Sequence, residues 1–228
     1  MSIRKTVILS LGGSIIIPKK ISVAYLKKFR LLILDLCKHG YRFVIVAGGG
    51  NVCRDYQKAA KGIASITADD LDWIGIAATK LNAELIRSLF GSSAYHEVLA
   101  NPTKRIVSEK KILVGAGWKP GSSSDKDAVM LAHAYGAEMV VNMSNIEYVY
   151  TADPRKVKTA RSIPRMTWDE LLKLTGTKHT PGYHVPFDPE ASKLAKQLGL
   201  TIVVCKGADL RNLRQVITGG PFTGTVIS

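Results

Sequence analysis

The chain has 228 residues, 46% hydrophobic and 22% charged, the make-up of a packed globular protein rather than a disordered or low-complexity one. Its 32 Lys and Arg against 18 Asp and Glu leave a formal charge of +14, a field that favours phosphate-bearing partners. The basic residues are scattered, which argues against a nucleic-acid-binding arm. No apolar run reaches the roughly 18 residues of a membrane-spanning helix, and Cys37, Cys53 and Cys205 form no C-x-x-C. Reduced thiols in a cytoplasmic protein are therefore expected.

Val7–Leu11 reads as a strand running into Gly12-Gly13-Ser14, its apolar stretch too short for a signal peptide. Val23–His39 carries Leu26, Phe29, Leu32, Ile33 and Leu36 at helical spacing and stops at Gly40. Arg42–Ala47 is a second strand, closed by Gly48-Gly49-Gly50, and helices are predicted over Val52–Ala60 and Asp70–Leu89. Lys111–Val114 reads as a strand, Gly115–Ser124 as a glycine-rich loop and Asp127–Ala134 as a helix; Met139–Asn142 and Thr201–Cys205 are further strands. Apolar runs without polar alternation suit parallel strands buried on both faces. The predicted fold class is α/β, a three-layer α/β/α sandwich with a mostly parallel central sheet. No linker or repeat divides residues 1–228, so one domain is expected; Thr175–Tyr183 reads as a mobile loop too short to separate two.

In open α/β sheets ligands bind beyond the carboxyl ends of the strands. Three strands end there in glycine clusters: Gly12-Gly13, Gly48-Gly49-Gly50, and Gly115-Ala116-Gly117 through Gly121. Glycine admits close backbone approach, and a following helix N-terminus offers amide hydrogens to an anion. Three such loops predict more than one phosphate; tight turns with positive φ are the alternative for any one of them. No G-x-x-x-x-G-K-[ST] and no G-x-S-x-G is present, and the cluster ending at Gly121 has its third glycine one place late for a dinucleotide fingerprint.

Taken in order, these segments resemble the amino-acid kinase superfamily and, within it, the archaeal-type uridylate kinases, over essentially the whole chain. Leu11-Gly12-Gly13-Ser14 is similar to the family's L-G-G-S turn, and Ala47-Gly48-Gly49-Gly50-Asn51 with Arg54 to its G-G-G-N-x-x-R segment. Asp72, Gly75, Thr79 and Asn82 match a D-x-x-G-x-x-x-T-x-x-N helix, which in the family handles the acceptor nucleoside and a dimer contact. Pro120-Gly121 with Ser123-Ser124-Asp125 resembles P-G-x-T-T-D, and Ser144-Asn145 with Tyr150-Thr151-Ala152-Asp153-Pro154 resembles T-N-V-D-G-V-Y-T-A-D-P. Asp188-Pro189 with Ala191 and Lys193 matches a D-P-x-A-x-K helix start, and Gly224-Thr225-Val226-Ile227 a closing G-T-x-I strand.

The resemblance implies transfer of the ATP γ-phosphate to UMP, with Mg²⁺ held mainly by nucleotide phosphates and no metal site of the protein's own. It implies catalytic roles for Gly12, Gly13, Ser14, Asp125 and Lys193. UMP would meet Gly48, Gly49, Gly50, Arg54, Asp72, Gly75, Ser123 and Ser124; ATP would meet Gly12, Gly13, Ser144, Asn145, Tyr150 and Asp153. The N-terminal part would bind the acceptor and make a dimer contact, the C-terminal part would bind ATP, and the assembly would be a homohexamer, a trimer of dimers, with no membrane or nucleic-acid partner.

Several of these residues have simpler readings. Arg54 suits a bidentate phosphate clamp but also a surface turn. Asp72 suits a ribose or uracil contact or a helix N-terminal carboxylate, and Asp125 a lysine, a metal or an N-cap. Tyr150 suits an adenine face or the core, Asp153 a ribose or a turn, and Lys193 a phosphate or plain solvent.

The sequence also departs from the family pattern. Ser10 stands where many members carry a lysine before the first glycine turn, with Lys119, Lys126, Lys193 and Lys19 as candidate replacements. Asp125-Lys126-Asp127 is more charged than expected, and Ile146-Glu147-Tyr148 replaces V-D-G. A bulky Tyr148 at a glycine position predicts an altered turn beside the ATP base. Two rival readings are another phosphotransferase of the superfamily and a catalytically weak nucleotide sensor or storage protein.

Overall fold

Side chains of successive strand residues face opposite sides, and in this chain both sides are apolar. Val7, Leu9 and Leu11 pack with Phe43 and Ile45 into one core, while Ile8, Val44, Val46 and Val140 pack into another. Each fully buried side chain of this size contributes about 1.5–3 kcal/mol, so a sheet covered on both faces is the arrangement this pattern favours. The computed structural model describes residues 5–177 and 185–228; most of the loop predicted at Thr175–Tyr183 lies outside them.

The elements in chain order are β1 (Thr6–Leu11), α1 (Gly13–Ile16), α2 (Val23–Lys38), β2 (Arg42–Ala47), α3 (Gly50–Ile63) and α4 (Ala68–Phe90). There follow β3 (Ala94–Leu99), β4 (Ile112–Gly115), α5 (Ser124–Tyr135), β5 (Met139–Ser144), β6 (Val149–Tyr150) and β7 (Ser162–Ile163). The chain continues through β8 (Arg165–Met166), α6 (Trp168–Thr175), α7 (Pro189–Gln197), β9 (Thr201–Lys206), α8 (Leu210–Thr218) and β10 (Thr225–Ile227). Eight strands form one sheet in the order β3-β4-β2-β1-β5-β9-β10-β8. It is parallel throughout except where β10 meets β9. β6 and β7 form a separate antiparallel ribbon.

One core takes residues of α2, α4 and α8 (Phe29, Ile33, Ile86, Leu213) and the other residues of α5, α6 and α7 (Val129, Leu171, Ala191). This is the predicted α/β/α sandwich. Cys37 and Cys205 are buried free thiols, pushed up to about 11 and about 12 by burial. Among the described residues no helix is long and apolar enough to cross a membrane.

Two boundaries differ from the sequence expectation for identifiable reasons. Helix α5 starts at Ser124, before the predicted Asp127, because the Ser123 hydroxyl caps it by accepting from Lys126 N. Helix α4 starts at Ala68, capped by Thr67, which accepts from Asp70 N, and ends at Gly91 with φ +51°.

Candidate active site

From β1 the chain moves to β2 on one side, and from β5 to β9 on the other. The carboxyl ends of β1 and β5 therefore flank the point where strand order reverses, the place open α/β sheets use for ligands. Gly12 N there donates to Met143 O at 3.0 Å, tying the two strand ends together.

The first two glycine turns pack backbone on backbone. A Cβ on Gly13 would lie 2.2 Å from Gly50 N and 2.5 Å from Gly48 O, and one on Gly50, at φ +65°, would lie 2.4 Å from Gly13 C. The glycines are thus required by contact between the turns as well as by any ligand. The first amides of α1 and α3 have no carbonyl of their own helix to bond, and both helix starts, Gly13 and Gly50, lie at this contact. Arg54 sits one turn into α3 and donates from Nη2 to Asn51 Oδ1. Asn51 Nδ2 donates to Ile17 O at 3.4 Å and to Pro18 O. The guanidinium is thereby linked to the turn after α1 and keeps further donors for an anion.

Helix α4 braces this wall from behind. Asn82, 1% exposed, donates from Nδ2 to Gly48 O (2.8 Å) and Gly49 O (3.2 Å). The Thr79 hydroxyl donates to Ile76 O (2.7 Å) and accepts from Gly117 N (2.8 Å). Asp72 Oδ2 accepts from Gly121 N at 2.8 Å, and Gly75 lies against Cys53 and Gln57 of α3. On the other side Asp127, fully buried, accepts from Trp118 N (3.1 Å) and from the Ser122 hydroxyl (2.7 Å). Burial pushes its carboxyl up to about 6 against the pull of those two bonds. The third glycine loop therefore has the amides of Gly117, Trp118 and Gly121 taken up by the protein's own side chains. It is not the amide cradle for phosphate that its glycines suggested.

At the centre of the crevice Ser10, 4% exposed, donates from Oγ to Asp125 Oδ1 at 3.1 Å, and Asp188 N donates to Asp125 Oδ2 at 3.2 Å. One carboxylate so joins β1, α5 and the start of α7. Burial and the facing Asp188 carboxylate push Asp125 up to about 6. Asp188 itself caps α7, accepting from Ala191 N at 2.9 Å. Ser123 is taken up as the cap of α5, with Ser124 the first residue of that helix.

The β5 side is more open. Ser144 O accepts from Gly207 N (2.8 Å) and Ser144 Oγ from Ile146 N (3.2 Å), while Asn145 is exposed. Tyr150 pairs with Ser162 across the β6–β7 ribbon and meets Tyr148 edge to face, ring centroids 6.5 Å apart. No described non-glycine residue has positive φ, so Tyr148 fills its place without backbone strain. Asp153 holds Arg155 through both carboxylate oxygens (3.1 and 3.2 Å), and that guanidinium pulls its carboxyl below the ordinary range. Lys193 is exposed and ion-paired to Glu190 at 2.8 Å. Among the described residues no hydrogen bond or ion pair joins Lys193 to the glycine turns. The Lys119 ammonium lies 4.2 Å from the Trp118 ring centroid.

Residues 5–206 match the model of the amino acid kinase family. The chain belongs to that family. This amino acid kinase is 32% identical to a uridylate kinase of Methanospirillum hungatei, over 98% of this chain and 94% of the relative. It is 31% identical to one of Hyperthermus butylicus, over 93% and 94%. The crystal structure of uridylate kinase from Archaeoglobus fulgidus superposes with a TM-score of 0.82 at 28% identity, covering 98% of this chain and all of that one.

Sequence reasoning missed the bracing by Asp127 and placed Thr79 and Asn82 only in a helix motif tied to the acceptor nucleoside and a dimer contact, without their grip on the loops. The signal available for Asp127 was its place in the first turn of a helix, two residues after a second acid, Asp125. Nothing local shows that Thr79 and Asn82 face two loops distant in sequence.

Proposed function

We propose that this amino acid kinase transfers the γ-phosphoryl group of ATP to UMP, giving UDP and ADP. The observation that carries the reading is the meeting of two anion-suited turns at the switch point. Gly12–Ser14 and Gly48–Gly50 touch through their backbones, each opens a helix, and Arg54 stands beside the second. That arrangement suits two phosphate groups brought face to face, and so an acceptor that is itself a phosphate. The near full-length likeness to uridylate kinases supports a pyrimidine nucleotide as that acceptor.

In this reading a UMP phosphate oxygen attacks the γ-phosphorus in line. The new P–O bond forms as the bond to the β–γ bridging oxygen breaks, and that electron pair leaves on ADP. Arg54 and the amides of Gly49 and Gly50 hold the acceptor phosphate, with Gly48, whose amide donates to Leu11 O at 2.9 Å, shaping that turn and Asp72, Gly75, Ser123 and Ser124 around the nucleoside. Gly12, Gly13 and Ser14 approach the ATP phosphates, and Ser144, Asn145, Tyr150 and Asp153 surround the adenosine. Lys193 supplies the neutralising cation, since an exposed pair such as its contact with Glu190 is worth little and exchanges readily for phosphate. Asp125 already accepts from Ser10 and Asp188 N–H, so Mg²⁺ is assigned mainly to the nucleotide phosphates, where it offsets charge during transfer.

Self-association belongs to the same reading. Tyr56 and Ile63 on α3 and Trp73 and Leu81 on α4 are 52–85% exposed, large apolar groups that suit a second copy. Light scattering is expected to show an assembly larger than one chain, and Trp73→Glu to reduce it.

The deciding experiment is ADP release with ATP, Mg²⁺ and each nucleoside monophosphate in turn, beside acetylglutamate and aspartate. UMP-selective turnover that collapses in Arg54→Ala is expected. Absence of turnover with every acceptor, while ATP or UTP still binds, overturns the reading in favour of a nucleotide sensor.

A further inference from the structure

The two loops facing the crevice from the β2 and β4 strand ends are gripped from one helix by opposite backbone groups. In a trans peptide the carbonyl and the following amide point in opposite directions. Asn82 holds the carbonyls of Gly48 and Gly49, so the amides of Gly49 and Gly50 are turned away from α4. Gly50 N duly lies against Gly13. In the loop after β4 the polarity is reversed. From α4, Thr79 and Asp72 hold the amides of Gly117 and Gly121, so the carbonyls of Ala116 and Pro120 are turned away from that helix. One loop offers hydrogen-bond donors to the crevice and the other offers acceptors.

We propose that Thr79 and Asn82 are positioning residues that set this opposition, and through it the affinity for the acceptor nucleotide. The amide-presenting turn suits an anionic phosphate. The carbonyl-presenting loop repels a second phosphate and suits the N–H and O–H donors of a nucleoside. Both grips come from one face of α4, three residues apart, and both residues are buried, Thr79 at 8% and Asn82 at 1% exposure. The Thr79 hydroxyl and Asn82 Nδ2 are engaged by loop and helix backbone, so through these atoms the two residues act on the loops. The inference rests on the UMP kinase reading for its ligand, but the loop polarity itself is testable without turnover.

The test is amide hydrogen exchange on the full chain, with and without UMP, joined to steady-state kinetics of Thr79→Val, Thr79→Ser and Asn82→Asp. In the unliganded chain the amides of Gly117 and Trp118 are expected to exchange slowly and those of 49–52 fast, with UMP slowing only the latter. Thr79→Val is expected to speed exchange at 117–118 and to raise KM for UMP about tenfold, the equivalent of one lost hydrogen bond. KM for ATP stays within about twofold, and Thr79→Ser, which keeps the hydroxyl, restores both. Asn82→Asp, which sets a carboxylate against two carbonyls, is expected to raise KM for UMP further. Fast exchange at Gly117 and Trp118 in the wild type, equal rises in both KM values, or failure of Thr79→Ser to rescue would each overturn the proposal. Should the wild type turn over no monophosphate, the kinase reading falls while the exchange pattern still decides the polarity.

Discussion

The two walls of the crevice are built in different ways. On the β2–β4 side the polar contacts are buried: Asn82, Thr79 and Asp127 are each less than a tenth exposed and each is bonded to loop backbone. On the β5–β9 side Asn142 and Thr225 are buried and bonded to backbone as well, but the ion pairs lie in water, among them Asp153–Arg155, Lys206–Glu147 and Lys193–Glu190. Buried bonds of the first kind are costly to lose because the partner is left unsatisfied. Exposed pairs of the second kind are screened and add little. The β2–β4 wall is thus set before any ligand arrives, and the ion pairs of the β5–β9 wall are free to exchange partners.

Substitutions should break that comparison in a definite order. The largest effect is expected from Gly13→Ala, whose methyl has no space against the backbone of Gly48–Gly50. A loss of about 3 kcal/mol or more, together with loss of turnover, should be seen in denaturant unfolding and ADP release. Arg54→Ala should follow, raising KM for UMP by about a hundredfold through loss of a charge-assisted contact, with the melting temperature and KM for ATP little changed.

A third prediction concerns pH. Asp127 is pushed up to about 6 from an ordinary 3.8, so between those values the folded chain binds the proton that the unfolded chain has released. The stability this group contributes is present below pH 4 and is lost as pH rises through 6. Asp127→Asn lacks that loss. Its unfolding free energy should therefore gain on the wild type by about 3 kcal/mol between pH 4 and pH 7, at about 1.4 kcal/mol per pKa unit. The smallest effect is expected from Lys206→Ala, which removes an exposed pair with Glu147 and should leave the thermal melt within error of the wild type.

The parts legible in the sequence were those governed by local pattern. Val7–Leu11, Arg42–Ala47 and Met139–Asn142 are continuous apolar runs, and strands buried on both faces require that. Strand β3 was not legible: its sequence, Ala-Tyr-His-Glu-Val-Leu, carries His96 and Glu97 exposed in mid-strand, and it sits at the sheet edge with a broken register against β4. Helix α8 escaped although Leu213, Val216 and Ile217 stand at helical spacing, because its nine residues are shorter than the window over which that period is read. In the site, glycine clusters marked where the backbone comes close, yet glycine carries no sign of which way a peptide faces. That direction is set by Asn82 and Thr79 from a helix that begins well after one loop and ends well before the other. At Tyr148, where the sequence predicts an altered turn, the backbone takes no positive φ.

Strand β1 pairs with β2 through Leu11 and Ala47 and with β5 through Leu11 and Met143, and this places the two walls at different moments of synthesis. At about 5–20 residues per second, β5 leaves the ribosome on the order of 5–20 s after β2. Until then one flank of β1 is an open strand edge, its amides and carbonyls available to any other chain. The first-made half of the sheet can assemble and bring its glycine turns together during that wait. Met143 then accepts from Gly12 N as β5 covers that edge, so the bond that unites the two halves of the crevice also moves the open edge outward to β5, where it stays until β9 is made.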